Sequence, residues 1–594
     1  MPNARPRRSP PAFDPERHGR DLVAIVGEIA ESRDLDARAL DRILKRHPKD
    51  GCGLFSRSEL IAGFRHFARE RGWRVGEHAF VESLRLRPVR TQSGVTPVTV
   101  LTKPHPCPGR CIFCPNDARM PKSYLADEPG AQRAEDNGFD PYLQTWNRLA
   151  AFRSIGHPVD KVELIVLGGT WSVYPEPYRI AFVKRCIDAL NDFGSGLDGR
   201  AAARSSPVRA SWSDLERAQR RNEAAACRCV GLSLETRPDH LCEAEVLCIR
   251  RLGATKVQIG IQSLSDRVLA LNRRGHDVAA TRRALRLLRE AGFKIHGHWM
   301  PNLHGSSPTD DVADFARLFS DRDFRPDELK IYPCSLVESA DLMAYHARGE
   351  WRPYTREELV GVVAACLRDA PRYCRLTRVI RDFSADDIVA GSRTGNLREV
   401  AERRLREGGE SCREIRGREI RSQPLGGVEL RLVATDYETS VGDEVFLEFV
   451  TPEDRIAAFL RLSLPREPSF VEEIRRSALV REVHVYGASL AIGRRQPGRA
   501  QHRGLGRALV EAARSRARAA GFANLAVISA VGTRAYYRAL GFRDGALYQH
   551  LRLCGTRAPR PRRERPRRPS SPRESCPRGC ASPADPGAFA GSPA

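Results

Sequence analysis

The strongest constraint on the fold is an alternation that runs from about residue 87 to 375. Short β-rich runs recur at Val98–Leu101, Val162–Leu167, Cys229–Leu234, Lys256–Ile261, Lys294–His298 and Leu329–Tyr332, with helical stretches such as Tyr178–Asn191 and Val278–Ala291 between them. Strands separated by helices need crossover connections, so the pattern predicts a parallel sheet, closed partly or fully into an α/β barrel. In such barrels chemistry sits in the loops after the strands, at the C-terminal rim. Cys107-Pro-Gly-Arg-Cys111-Ile-Phe-Cys114 follows the first strand, Gly168-Gly169-Thr170 the second, Glu235-Thr-Arg237 the third and Gln262-Ser263 the fourth. All four groups are therefore expected at one mouth.

Three thiolates at this spacing can hold three corners of a [4Fe–4S] cluster and leave the fourth iron open to a small molecule. The alternatives are half of a zinc site, for which His105 would be a fourth ligand but stands only two residues before Cys107, and a chance grouping in a chain with 16 cysteines. A Gly-Gly pair exposes backbone to the amino group of a ligand chelating the open iron, and a carboxylate such as Glu235 suits a ribose. A salt bridge to a neighbouring arginine is the structural alternative for Glu235. Cys334 and Cys412 are a sparser pair. Without further ligands they read as buried free cysteines rather than as a zinc site.

A chain of 594 residues is too long for one core. Residues 1–20 are basic and proline-rich, and disorder is expected there. In 21–86 apolar residues recur at helical spacing, Leu22, Ile25, Val26 and Ile29, then Leu40, Ile43 and Leu44, then Leu60, Ile61, Phe64 and Phe67, which predicts a small helical domain. Residues 376–425 read as a connector. Residues 426–552 turn antiparallel in character, with runs at Val428–Tyr437, Val445–Val450, Ile456–Leu462 and Ala478–Ile492, the last broken near Gly487. Gln501-His-Arg-Gly504-Leu-Gly506 then opens a helix over Arg507–Ala519, followed by a strand over Leu525–Ala530 and a helix over Thr533–Leu540. Glycines at a helix N-terminus let backbone N–H groups approach a pyrophosphate. The loop has neither the third glycine of a Rossmann turn nor the Lys-Ser/Thr of a P-loop. The tail 553–594, rich in Pro, Ser and Arg, cannot build a core, and Cys576 and Cys580 within it are read as incidental.

Lys and Arg number 98 against 74 acidic residues, a net charge of +24. That balance fits a polyanionic partner, most simply nucleic acid. No apolar run reaches membrane-spanning length and no apolar core follows the basic N-terminus. A cytoplasmic location without a membrane partner is expected, where cysteines bind metals or do chemistry rather than pair.

Seven ordered blocks, spread over about residues 85–550, carry a more specific likeness. They are Leu101-Thr-Lys-Pro-His-Pro-Cys107, Lys161-Val-Glu-Leu-Ile-Val-Leu-Gly-Gly-Thr170, Val230-Gly-Leu-Ser-Leu-Glu-Thr-Arg-Pro238, Asn272-Arg-Arg-Gly-His276, Leu329-Lys-Ile-Tyr-Pro333, Arg481-Glu-Val-His-Val-Tyr-Gly487 and Val527-Ile-Ser-Ala-Val-Gly-Thr-Arg-Ala-Tyr-Tyr-Arg538. With them the chain resembles the catalytic acetyltransferase subunit of Elongator in its self-standing bacterial or archaeal form. The implied fold class is α/β: a partial TIM-like radical S-adenosylmethionine barrel, a GCN5-related acetyltransferase α+β domain after it and a small helical domain before it.

The implied reaction converts the wobble uridine of tRNA to 5-carboxymethyluridine. In it acetyl-CoA gives up a methyl hydrogen to a radical made from S-adenosylmethionine, and the resulting carbon radical adds to the base. The resemblance assigns Cys107, Cys111 and Cys114 to a [4Fe–4S] cluster. It assigns Gly168, Gly169, Thr170, Glu235 and Gln262 to S-adenosylmethionine. Lys161 would reach acetyl-CoA from the barrel side. Glu482, Val483, His484 and Val485 would hold the pantetheine arm, and Ala500, Gln501 and His502, with Gly504 and Gly506, the pyrophosphate. Ala500 stands where eukaryotic members commonly carry an aromatic residue. Tyr537, with Tyr536 beside it, would sit near the thioester, so Lys161, Tyr536 and Tyr537 are the catalytic candidates. The implied partners are tRNA, through its anticodon loop, and an electron donor; a homodimer stays open, and no obligate Elongator partner is expected. Two alternatives stand beside this one: a protein lysine acetyltransferase using the C-terminal domain alone, and a noncatalytic tRNA-binding protein.

Overall fold

The computed structural model describes residues 13–32, 35–73, 75–85, 91, 94–421, 425, 427–487 and 504–553. Of residues 1–20, expected to be disordered, 1–12 fall outside the described residues, whereas 13–20 are ordered, with a helical turn at Glu16–His18 and a helix starting at Gly19. The tail from 554 and the part of the fourth C-terminal run after Gly487 also fall outside the described residues.

Among the described residues of the first two thirds of the chain nine strands form: β1 Thr96–Leu101, β2 Lys161–Leu167, β3 Arg228–Thr236, β4 Lys256–Gln262, β5 Lys294–Trp299, β6 Glu328–Ile331, β7 Leu336–Val337, β8 Arg375–Arg378 and β9 Ile388–Ala390. Seven make one sheet in the order β1-β2-β3-β4-β5-β6-β8, every neighbouring pair parallel. Each strand thus steps to the next by a crossover, and β1 and β8 remain as edges. The barrel is partial. Its seventh strand, Arg-Leu-Thr-Arg, adds to the six read from the sequence; with a single apolar residue it has no strand pattern of its own. Its place is set from outside, by pairing with β6 and by the buried Glu414 carboxylate, which accepts the Leu376 N–H at 3.0 Å.

The C-terminal sheet contains β10 Arg431–Glu438, β11 Gly442–Val450, β12 Ile456–Pro465, β13 Ala478–Val485, β14 Asn524–Val527, β15 Arg543–Asp544 and β16 Gln549–Arg552, in the order β10-β11-β12-β13-β14-β16-β15. All its pairs are antiparallel except β13 with β14, which are joined through the helix Leu505–Ala519. Those two pair only over Ala478–Val480 and Leu525–Val527. Beyond that the strands part, and Glu482–Val485 pairs with β12 but with no strand on its other side among the described residues.

This sheet packs on the N-terminal ends of the barrel strands, and one hydrophobic core runs through both. Arg481 donates to Phe293 O, just before β5, and forks onto Asp327, just before β6, at 2.6 and 2.7 Å. Gly532 lies against the start of β3 so closely that a Cβ would clash with the Cys229 carbonyl. Four N-terminal helices, Gly19–Glu31, Ala37–Arg46, Arg57–Arg71 and Glu77–Leu84, close on a core of their own around Leu22, Leu60, Phe64 and Phe80. Among the described residues no helix is long and apolar enough to cross a membrane.

Candidate active site along the barrel axis

The cysteine loop follows β1 at the C-terminal rim. It is tied down by Ile112, whose N–H donates to Asn272 O at 3.2 Å and whose carbonyl accepts from Leu342 N at 2.8 Å. The sulfurs are surrounded by donors. Gly109 N lies 3.4 Å from Cys107 Sγ, Arg274 Nη1 lies 3.4 Å from Cys111 Sγ, and the Ser123 hydroxyl lies 3.1 Å from Cys114 Sγ. The hydrogen bond from Cys114, with Arg274 and Arg237 behind it, draws the Cys111 thiol down to about 5, while Cys114 is pushed up by the same bond and by burial. Three cysteines in one loop, ringed by N–H and O–H groups, form a donor set that suits anionic sulfur ligands of an iron–sulfur cluster. His105 instead packs against Tyr174, ring centroids 4.6 Å apart and the planes tilted by 30°.

The remaining rim motifs converge there. Gly168 (φ 141°) and Gly169 (φ 86°) take up backbone conformations closed to other residues, and a Cβ on Gly168 would collide with Thr102. Thr170 is buried with its hydroxyl 3.7 Å from Cys107 Sγ. Glu235 has no arginine partner among the described residues; it accepts from Tyr124 OH at 2.9 Å and has His298 Nδ1 at 3.7 Å. Gln262 sits at φ 68° with its Oε1 buried and unpartnered. A non-glycine residue held there with an orphan acceptor is the pattern of a ligand contact.

From this mouth a cavity of about 1150 Å³ runs through the barrel to the C-terminal sheet. Cys114, Tyr124, Glu235, Gln262 and Met300 line one end; Gln258, His296, His298 and Lys330 the middle; Lys161, Glu163, Lys256, Lys294 and Glu328 the far end; and Glu482, His484 and Tyr537 close it. Barrel interiors are ordinarily packed with branched apolar side chains. Here alternate residues are polar: Lys294, His296 and His298 on β5, Lys256 and Gln258 on β4, Glu328 and Lys330 on β6. The sequence reading missed this lining, although its period of two was the available signal.

The polar groups are paired. Lys256 bridges Glu163 (2.5 Å) and Glu328 (3.2 Å), Lys294 bridges Glu328 (3.4 Å) and Glu482 (2.6 Å), and Lys330 donates to Gln258 at 2.5 Å. Burial opposes ionisation of Glu163 and Glu328, but Lys256 and Lys294 outweigh it and hold both below the usual carboxylate range. Burial, reinforced by neighbouring lysines, keeps His296 and His298 neutral.

Lys161 starts β2, at the opposite end from Gly168–Thr170, and burial lowers its ammonium pKa. Glu482 ionises because Lys294 and Arg461, at 2.6 and 2.9 Å, outweigh its burial. His484 is drawn down to about 4 by burial, its Nε2 unpartnered. Tyr537 is buried in the cavity wall, whereas Tyr536 is 43% exposed, with its hydroxyl over Gly506. Of the predicted pair, only Tyr537 reaches the cavity. Gly504, at φ 74°, precedes the helix Leu505–Ala519. Ala500, Gln501 and His502 lie outside the described residues. Cys334 is buried in the apolar cluster that contains Cys111, and Cys412 is half-buried against the main core; both are free thiols.

The geometry has counterparts in known proteins. Residues 105–319 match the radical SAM superfamily and 326–407 its C-terminal domain. A tRNA uridine(34) acetyltransferase of Methanocaldococcus infernus is 38% identical over 545 residues, covering 89% of this chain and 97% of that protein. Elongator complex protein 3 of Danio rerio is 36% identical over 482 residues, covering 78% and 85%. The solved structure of archaeal M. infernus Elp3 lacking its N-terminal residues 1–46 aligns with a TM-score of 0.65 at 36% identity, covering 77% of this chain and 99% of that one.

Proposed function

Because the chain belongs to the family of the tRNA uridine(34) acetyltransferases and Elongator complex protein 3, we propose that it is a radical S-adenosylmethionine enzyme that builds 5-carboxymethyluridine at the wobble position of tRNA with acetyl-CoA as the carbon source. The observation that carries this reading is one continuous cavity that joins the cysteine loop to Tyr537 and to the edge of β13 that is unpaired among the described residues. A protein that only acetylated lysines would have no use for such a connection.

When bound at the rim, an iron–sulfur cluster and S-adenosylmethionine supply reductive, hydrogen-abstracting radical chemistry. The chain's own residues do the rest. Cys107, Cys111 and Cys114 ligate the cluster. The Gly168–Gly169 backbone and Thr170 receive the amino-acid end of S-adenosylmethionine, and Glu235, steadied by Tyr124, receives its ribose. At the far end, residues 426–552 bind acetyl-CoA: Glu482–Val485 offers to the pantetheine amides a strand edge that is unpaired among the described residues, and Gly504 and Gly506 bring helix N–H groups to the pyrophosphate. Lys161 meets the acyl end from the barrel side, and the Tyr537 phenol, kept protonated by burial, donates a hydrogen bond near the thioester. The barrel wall between the two ends would narrow the access of bulk water to the groups held there.

The test is an anaerobic incubation of reconstituted, reduced protein with S-adenosylmethionine, acetyl-CoA and tRNA, followed by nucleoside analysis. 5-Carboxymethyluridine that forms only when both small molecules are present is the expected result. Acetylated protein without any nucleoside change would overturn the proposal.

A further inference from the structure

Two motif arginines are left without a role above, Arg237 and Arg274. Both are buried, at 4% and 6% exposure, and both turn a guanidinium nitrogen to Cys111 Sγ, Arg274 Nη1 at 3.4 Å and Arg237 Nη1 at 4.0 Å. Glycines make the room: a Cβ on Gly109 would collide with Arg237 Nη1, and one on Gly260 would lie 2.5 Å from Arg274 Nη2.

Their charges are balanced differently. Arg237 forks onto Asp239 at 3.0 and 2.8 Å and donates to Arg274 O at 2.7 Å. Arg274 donates to the Gly260 carbonyl at 2.9 Å, its Nε is buried without a partner, and no carboxylate among the described residues pairs with it. A buried guanidinium with no anion is strongly unfavourable. Among the described residues the anion-forming group to which it turns a donor is the Cys111 sulfur, with Cys114 beyond it.

We propose that Arg274 is a positioning residue that sets the reduction potential of the cluster held by Cys107, Cys111 and Cys114, making the cluster easier to reduce. The inference rests on the reading of those cysteines as ligands. A cluster with three thiolates is anionic, and one added electron makes it more so. A fixed cation, hydrogen-bonded to a ligand sulfur and shielded from water, stabilises the reduced form more than the oxidised one. Arg237, already neutralised by Asp239, contributes mainly by walling the sulfur off from solvent.

The full chain and its R274Q, R274K and R237Q variants are reconstituted anaerobically, assayed for iron and sulfide, and titrated against potential by EPR. R274Q should carry a full cluster whose reduced-to-oxidised ratio, at the wild-type midpoint, falls about tenfold, a downward shift of about 59 mV for one electron. R274K should stay close to wild type, and R237Q should shift less than R274Q. A fully loaded R274Q with an unchanged midpoint overturns the inference while leaving the ligand reading intact. Should R274Q take up no iron, R274K decides, since a tenfold fall in that charge-conserving variant overturns the role of charge. A wild-type chain that binds no iron removes the ligand reading and the inference with it.

Discussion

Tyr536 and Tyr537 are adjacent, yet one faces solvent over Gly506 and the other completes the cavity wall. A short helix, Arg534–Ala539, sets neighbours about 100° apart, so a Tyr-Tyr pair can present only one ring inward. Sequence blocks name both tyrosines; only the fold chooses between them. Cysteine spacing and the Gly-Gly pair were legible at this scale because their chemistry needs those residue types close in sequence. The Lys294-His296-His298 face of β5 was not, because a strand search scores apolar residues and passes over polar ones at the same period. Tyr537→Phe keeps the ring and removes the donor. If the phenol assists at the thioester, carboxymethyluridine formation should fall by about 10²-fold, the lower range of proton-transfer effects, with the thermal midpoint nearly unchanged. A loss of less than about threefold (under 1 kcal/mol) would assign the ring to packing alone.

At the scale of elements, Asp327 joins β6 to β13. It is fully buried and receives Arg481 at 2.6 Å, while Arg461 lies 3.5 Å away and donates to the Asp327 carbonyl at 3.2 Å. These partners stand 154 and 134 residues further along the chain, which is why the docking of the second sheet on the barrel floor was not legible in local patterns. The short, arginine-flanked β8 escaped notice for the same reason. Burial opposes ionisation of Asp327, but the arginines outweigh it and hold the carboxyl far below its ordinary value. A depressed folded pKa means that the unfolded chain takes up the proton first. The contribution to stability is therefore full above about pH 4, the unfolded value, and is lost as the pH falls below it. Asp327→Asn leaves Arg481 with Glu444 as its remaining carboxylate, at 3.0 Å, beside the equally buried Arg461, and should cost up to about 3–5 kcal/mol at neutral pH, read as a lower urea midpoint. The variant should also lose part of the stability gap to wild type as the pH drops from 5 towards 3; a gap that stays constant over that range would place the stability elsewhere.

At the scale of the whole molecule, the two proposed small-molecule sites lie at opposite ends of one barrel, and the polar interior connects those ends. The order of the motifs gave the ends; the connection follows from polar side chains contributed by β2, β4, β5 and β6, which no single stretch reveals. If the cavity is the path along which carbon and radical meet, blocking its middle should separate the half-reactions without destroying either. Lys330 is suited to this, because it is half-buried on β6 and extends across the cavity to Gln258. Lys330→Trp places a rigid ring there. The variant should still bind acetyl-CoA and still release 5′-deoxyadenosine from S-adenosylmethionine, since neither the cysteine loop nor β13 is touched. Carboxymethyluridine should fall at least about 10²-fold, as misplacing reacting groups by an ångström can do. Nucleoside and deoxyadenosine yields from the same reaction give the ratio. If both fall together, the ring has damaged the rim; if both persist, the two ends communicate by another route, and the cavity is not the channel of the reaction.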